Sequence, residues 1–290
     1  MPESPKIGSF EYYERLYQVE EEHWWSRGMR DIAAGLLKAH HWDAKSLKVL
    51  DAGCGTGITL SWLERTLGGQ KRHQGVPTTS IATTPHMVAG TDLSLDALQF
   101  CQRRGDFPLC QSSVLALPFQ SGSFDLVVCN DVIQHLPGDG SDKAALGEFY
   151  RVLKPGGWLL LRTNSSQGMG NQKSQGDEDF KMYSLDGLGE RVRQAGFHII
   201  KATYANALLS IIPTVKRHLR QRKHQHYHYH GLTIRQLPTH LRWLNTPLYW
   251  LMKGEAWFLS RPSRKLPFGH TIIFLAQKSL PARVNSSSEV

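Results

Sequence analysis

Two periods of apolar and polar positions alternate along this chain. Phe10, Tyr13, Leu16 and Tyr17 recur at helical spacing, so residues 10–44 read as helical. Lys48-Val49-Leu50 has the β-branched, apolar character of a buried strand end, and Ile58 to Leu67 follows as an amphipathic helix. The alternation then repeats. Ala89 to Asp92 reads as a short strand and Leu95 to about Arg104 as a helix, with a further strand from Phe124 to Asn130. Pro155 and Gly156 are expected to stop a helix ahead of the buried strand Trp158 to Leu161. A helix over Leu185 to Ala195 and strands over Phe197 to Ala202 and Thr271 to Ala276 complete the series. Strands alternating with helices predict an α/β fold.

The first strand breaks into Asp51-Ala52-Gly53-Cys54-Gly55-Thr56-Gly57. Three glycines at every second position let the backbone turn tightly and approach a ligand closely. A strand-to-helix junction is where open α/β sheets bind ligands. The spacing G-x-G-x-G is neither the dinucleotide G-x-G-x-x-G nor a P-loop, since no Gly-Lys-Ser/Thr follows. Asp51 argues further against a pyrophosphate, which a carboxylate repels, and suits a ligand carrying an ammonium group.

These residues resemble motif I of the class I S-adenosylmethionine-dependent methyltransferases. Further segments extend the resemblance in order: Gly90-Thr91-Asp92-Leu93-Ser94, then Ser112-Ser113-Val114-Leu115-Ala116-Leu117-Pro118-Phe119 with Phe124-Asp125-Leu126-Val127, then Leu153-Lys154-Pro155-Gly156-Gly157. The likeness covers residues 45 to about 203 and a last strand near 269–277. It implies a Rossmann-like seven-stranded methyltransferase sheet with helices on both faces, and S-adenosyl-L-methionine as cofactor. It further implies cofactor contacts from Asp51, Ala52, Gly53, Cys54, Gly55 and Gly57, from Asp92 and Leu93, from Ser113 and Val114, and from Asn130. Asp92 stands where the family's acid accepts hydrogen bonds from both ribose hydroxyls, as an ionised carboxylate can. Ser113 departs from the pattern, standing where an aspartate often meets the adenine amino group. The family's reaction centre opens at Asn130-Asp131-Val132-Ile133-Gln134-His135, which makes His135 the candidate general base and Asp131 the second choice.

Around that core the chain divides into an N-terminal helical cap (1–44), the core (45–203), an insertion expected to form a substrate lid (204–268), a final core strand (269–278) and a disordered tail (279–290). The cap carries Trp24-Trp25, of which one is expected to pack on the sheet and the other to cover the cofactor pocket. Residues 68–88 read as a surface insertion and 164–180 as a mobile polar loop. The 204–268 insertion is where substrate recognition is expected.

Charge sharpens one part of this picture. Of 290 residues, 34 are Lys or Arg and 25 Asp or Glu, a formal net charge of +9. Much of it lies in 216–230, where basic residues and histidines interleave with Tyr227 and Tyr229. That tract reads two ways: as a solvated face, or as a surface for an anionic partner, membrane or RNA. The following stretch from Leu237 to Leu259 is apolar and aromatic and fits either core packing or a membrane-surface patch. Four cysteines (Cys54, Cys101, Cys110, Cys129) form no C-x-x-C pair, so neither a zinc site nor a disulfide framework is indicated. The N-terminus lacks the apolar core of a signal peptide, and no apolar run approaches the roughly 18 residues that span a bilayer. The expectation is a cytoplasmic chain, peripheral to a membrane if the aromatic stretch touches one. The leading reading is methyl transfer to a small or amphipathic acceptor, lipid-like or saccharide-derived. An RNA methyltransferase using 216–230 and a catalytically silent cofactor-binding scaffold stand beside it.

Overall fold

A computed structural model describes residues 8–39, 46–67, 86–166, 181–210 and 237–280. The tract 216–230, the tail from 281, and most of the insertions expected at 68–88 and 164–180 lie outside the described residues.

Seven strands form one sheet: β1 (Lys48–Ala52), β2 (Met87–Asp92), β3 (Leu109–Gln111), β4 (Phe124–Asn130), β5 (Leu153–Asn164), β6 (Phe197–Ala205) and β7 (Thr271–Lys278). Their order is β3-β2-β1-β4-β5-β7-β6. The first five run parallel, and β7 is antiparallel to both its neighbours. Chain order reverses between β1 and β4, which opens a crevice at their carboxyl ends.

Successive strand residues feed opposite faces of the sheet, as a period of two requires. On β1, Val49 packs into one core and Leu50 into the other; on β7, Ile273 and Leu275 face away from Ile272 and Phe274. Helices α2 (Trp24–Lys38), α3 (Ile58–Leu67) and α4 (Leu95–Gln102) contribute to the first core. Helices α5 (Ser141–Val152) and α6 (Leu185–Gln194) cover the other face. Helix α1 (Phe10–Val19), capped by the Ser9 side chain, buries no residue fully and rests against α4 through Phe10 and Tyr17 on Phe100, at ring separations of 5.2 and 5.4 Å.

The second half of the insertion folds as a 3-10 turn (Thr239–Leu244) and helix α7 (Asn245–Leu259). Met252, Ala256 and Leu259 of α7 join the core against α2 and the sheet. Two α2 glycines one heptad apart make the approach close: a Cβ on Gly28 would stand 2.4 Å from Met252 Cβ, and one on Gly35 3.1 Å from Ser260 Cβ. Core packing therefore accounts for one face of this aromatic stretch.

Two departures from the sequence pattern have a clear cause in the packing. Pro155 and Gly156 do not stop α5, which ends at Val152; they lie inside β5. Leu153, wholly buried, already pairs with Phe124, and Leu126 next pairs with Trp158, so Lys154–Gly157 form a bulge. Burial of Leu153 draws the chain into the sheet ahead of the proline. Strand β6 runs on to Ala205 because β7 continues to pair with it as far as Ala205 opposite Thr271.

Candidate active site

The glycine-rich turn lies at the carboxyl end of β1. Gly53, Gly55 and Gly57 have φ of 85°, 53° and 82°, a region that L side chains rarely adopt. A Cβ on Gly53 would meet Val132 Cγ2 at 2.3 Å, and one on Gly57 the Sγ of Cys101 at 2.5 Å, whereas nothing stands within 4 Å of Gly55. The first and third glycines are thus demanded by packing as well as by φ, and Gly55 by φ alone. The Gly53 and Cys54 amides donate to Thr91 O at 2.7 and 2.9 Å, tying the turn to β2.

Beside the turn is a cavity of about 330 Å3, within the range of small-ligand sites. Gly53, Cys54, Gly55, Asp92, Leu93, Ser113, Val114, Asn130, Asp131 and His135 all line it. Ala52 and Gly57 stand behind that wall, as does Asp51. The Asp51 side chain is only 1% exposed and neither carboxylate oxygen has a hydrogen-bond partner among the described residues. Burial pushes its pKa well above the usual carboxylate range and the Asp92 charge adds to this, while Arg162 opposes it. A buried carboxylate in this state would be matched by a ligand cation.

Asp92 is held from two sides: Oδ2 accepts from the Gly55 amide and Oδ1 from the Ser94 amide, both at 2.9 Å. Burial still raises its pKa, against the pull of those amides. Each oxygen keeps a further lone pair for a ligand hydroxyl. Ser113 Oγ accepts from the Leu115 amide at 3.2 Å, within its own turn. The Cys54 thiol is pushed up by a hydrogen bond with Cys101 and by burial, so it is protonated and is no nucleophile.

Strand β4 delivers Asn130 and then Asp131, whose φ of 58° turns the chain out of the sheet. Arg162 of β5 holds Asp131 Oδ2 through Nε at 3.0 Å and Nη2 at 2.6 Å. The guanidinium of Arg162 also lies 5.1 Å from the Trp25 ring. His135 closes a 3-10 turn (Ile133–His135) fixed by Thr163 Oγ1 donating to Gln134 Oε1 at 2.6 Å and Tyr183 donating to Ile133 O at 3.2 Å.

The opposite wall comes from the N-terminal helices, through Tyr12, Tyr13, Leu16, Glu20, Trp25 and Ser26. Of the tryptophan pair, Trp25 lines the cavity; both pack against the core. No described residue of 204–268 lines it. Glu20, buried, accepts from Thr56 Oγ1 of the glycine-rich turn and pairs with Arg104 Nη2 at 2.8 Å. Arg104 also donates to Thr56 O at 2.9 Å and Tyr17 O at 3.1 Å. One arginine so staples α1, the turn and the end of α4 together. The sequence pattern assigns no site role to Glu20, Arg104 or Arg162. Glu20 belongs to an acidic run, Glu20-Glu21-Glu22, but its arginine partner lies far along the chain.

Among known proteins, the model of the methyltransferase-domain family matches residues 50–161. A chain of Encephalitozoon cuniculi, named as a methyltransferase, is 30% identical over 171 residues, which is 52% of this chain and 70% of that one. The phthiotriol/phenolphthiotriol dimycocerosates methyltransferase 1 of Mycobacterium ulcerans is 31% identical over 125 residues, 42% of this chain and 39% of that relative's length. A solved structure of phosphoethanolamine N-methyltransferase 2 from Haemonchus contortus, in complex with S-adenosyl-L-methionine, shares the fold. Its TM-score is 0.53 at 19% identity, covering 86% of this chain and 52% of that one.

Proposed function

The chain belongs to the class I S-adenosylmethionine-dependent methyltransferases, and from that premise we propose that it methylates a small amphipathic acceptor, lipid-like or saccharide-derived, in the cavity beneath α1. The observation that carries the cofactor assignment is Asp51, a buried carboxylate with no partner among the described residues, behind the wall that the glycine-rich turn gives the cavity. The ammonium of S-adenosylmethionine would supply the missing positive charge. Asp92 would accept from the ribose hydroxyls, Leu93, Ser113 and Val114 would flank the adenine, and Asn130 would border the reacting end. The turn residues Ala52, Gly53, Cys54, Gly55 and Gly57 would shape the floor beneath it.

S-adenosylmethionine, when bound, supplies a methyl group activated by its sulfonium. The protein must place the acceptor behind that methyl and exclude water. Trp25 and Leu136 offer apolar wall, while the Arg162–Asp131 pair and His135 offer polar groups on the same cavity. This mixture suits an acceptor with a polar head and an apolar body, and a relative named for phthiotriol points the same way. His135 would take the proton that the acceptor hydroxyl or ammonium releases, with Asp131 as the second candidate.

The test has two parts. Calorimetric titration with S-adenosylhomocysteine should show micromolar binding that Asp92→Ala abolishes; equal affinity in that variant would remove Asp92 from the site. Incubation with methyl-labelled S-adenosylmethionine and a cell extract should then put label in the organic-phase lipids or the small-molecule fraction. Label recovered in RNA would overturn the acceptor class.

A further inference from the structure

Helix α7 has two faces of opposite character. Met252, Glu255, Ala256 and Leu259 are buried against α2 and the sheet, and the Glu255 carboxylate accepts from the Asn206 and Ala207 amides. On the outer side Trp243, Trp250 and Trp257 are 68%, 59% and 63% exposed, with Leu251 at 40%. The three indoles recur every seventh residue, so the two on the helix share one face two turns apart. Single exposed apolar side chains are ordinary, whereas tryptophans repeated along one helix face, with a third exposed in the turn before it, call for an account of what covers them.

Charge says what it docks on. Between 237 and 270 the basic residues are Arg242, Lys253, Arg261, Arg264 and Lys265, all exposed. The one acid of that stretch is Glu255, which faces inward. Cations and indoles are held together: the Arg261 guanidinium lies 3.7 Å from the Trp257 ring centre and the Lys253 ammonium 4.7 Å from that of Trp250. We propose that this outer face of α7, with the turn before it and the exposed segment 261–265 after it, docks on an anionic phospholipid bilayer, with the indoles at the headgroup level and the cations on lipid phosphates. Tryptophan prefers that interface because its ring is apolar and its N–H polar. Among the described residues no helix is long and apolar enough to cross a membrane, so the contact lies in the plane of the surface.

A second copy of the chain fits less well, since a two-fold contact would set five cations against five. A nucleic acid would satisfy the cations and leave Leu251 and its neighbours facing water. The surface is separate from the cavity, and the proposal does not rest on the acceptor assignment. It does place a membrane beside it: Trp24 N donates to Asn245 Oδ1 at 3.4 Å and Tyr249 OH to Asp31 Oδ2 at 2.8 Å, joining α7 to the helix that carries Trp25 into the cavity wall.

The test is co-sedimentation of the full chain with vesicles of phosphatidylcholine, or of phosphatidylcholine and phosphatidylglycerol in equal parts. Binding should require the anionic lipid and fall about tenfold or more in Trp250→Ser/Trp257→Ser, and again in Lys253→Glu/Arg261→Glu. Both variants should keep wild-type thermal stability and S-adenosylhomocysteine affinity, because these side chains pack on nothing in the core. Vesicle binding as strong in either variant as in the wild type would overturn the proposal. So would binding to RNA without binding to vesicles, or a concentration-dependent dimer that Trp250→Ser/Trp257→Ser dissolves.

Discussion

Arg162 spends two donors, Nε and Nη2, on a single oxygen of Asp131, and leaves the other oxygen, Oδ1, buried without a partner among the described residues. The backbones repeat the link, the Asp131 amide donating to Arg162 O at 2.9 Å. Asp131 is thereby fixed in its left-handed conformation with one carboxylate oxygen in reserve as an acceptor. Replacing it with Asn keeps the shape, since Asn tolerates positive φ, but removes the charge. Asp131→Asn should lower kcat by about tenfold or more with S-adenosylhomocysteine affinity nearly unchanged. An undiminished kcat would mean that Oδ1 plays no part in the chemistry.

His135 lines the same cavity at the end of its 3-10 turn. His135→Ala should cut turnover by at least about tenfold, the lower range of general-base effects, while the titration with S-adenosylhomocysteine stays as in the wild type. Steady-state kinetics decides this, and a turnover that holds assigns the proton to another acceptor.

Asp51 makes a prediction about stability and pH. Burial raises its folded pKa above the unfolded value of roughly 3.9. The folded chain without ligand therefore holds this proton more tightly than the unfolded chain. Its contribution is fully present below the unfolded pKa and is lost as pH rises through the folded one. Asp51→Asn should raise the melting temperature of the ligand-free protein at neutral pH, by an amount that shrinks as pH falls toward 4, while S-adenosylhomocysteine binding weakens by about tenfold or more. Thermal unfolding across pH, with and without ligand, reads both effects. A lower melting temperature for the variant at every pH would show that the carboxylate is stabilising.

Glu20 and Arg104 are both almost wholly buried, with side-chain exposures of 5% and 6%. Burial raises the Glu20 carboxyl even with Thr56 and Arg104 beside it, so its environment depends on both partners. Arg104→Met should destabilise the fold by about 3 kcal/mol, the scale for stranding one member of a buried pair. The double variant Glu20→Gln/Arg104→Met should recover part of that loss. Denaturant unfolding checks this; strict additivity would show that the two residues are not coupled.

Gly28 packs directly against α7, and the obstructing atom is Met252 Cβ, which cannot move without the backbone. Gly28→Ala should cost about 1–3 kcal/mol by overpacking, despite alanine's better helix propensity. A variant as stable as the wild type would mean that α7 shifts freely on α2.

Residues close together in the chain made much of the site legible. The glycine-rich turn, with Asp51 ahead of it, Asp92 at the end of β2 and the Asn130–His135 segment after β4, falls at strand ends. Parallel strands bring such carboxyl ends to one edge, so order along the chain was enough to gather them. The α3 boundaries, Ile58 to Leu67, were legible for a similar reason: a local helix pattern directly follows a local turn. The end of α5 was not, because the burial of Leu153 against β4 outweighed the breaker residues behind it.

Local sequence determined the α/β alternation, the backbone conformation demanded by Gly53, Gly55 and Gly57, and the acids at the strand ends, since turn geometry, periodicity and side-chain charge act over a few residues. Only the tertiary structure decided that α1, rather than the described part of the insertion, walls the cavity, that Glu20 meets Arg104, that Arg162 meets Asp131, and that α7 turns its tryptophans outward. Those pairings join positions dozens of residues apart or more, and no local pattern specifies them. They are set by which faces the packed sheet leaves to be covered and by the need of each buried charge for a partner.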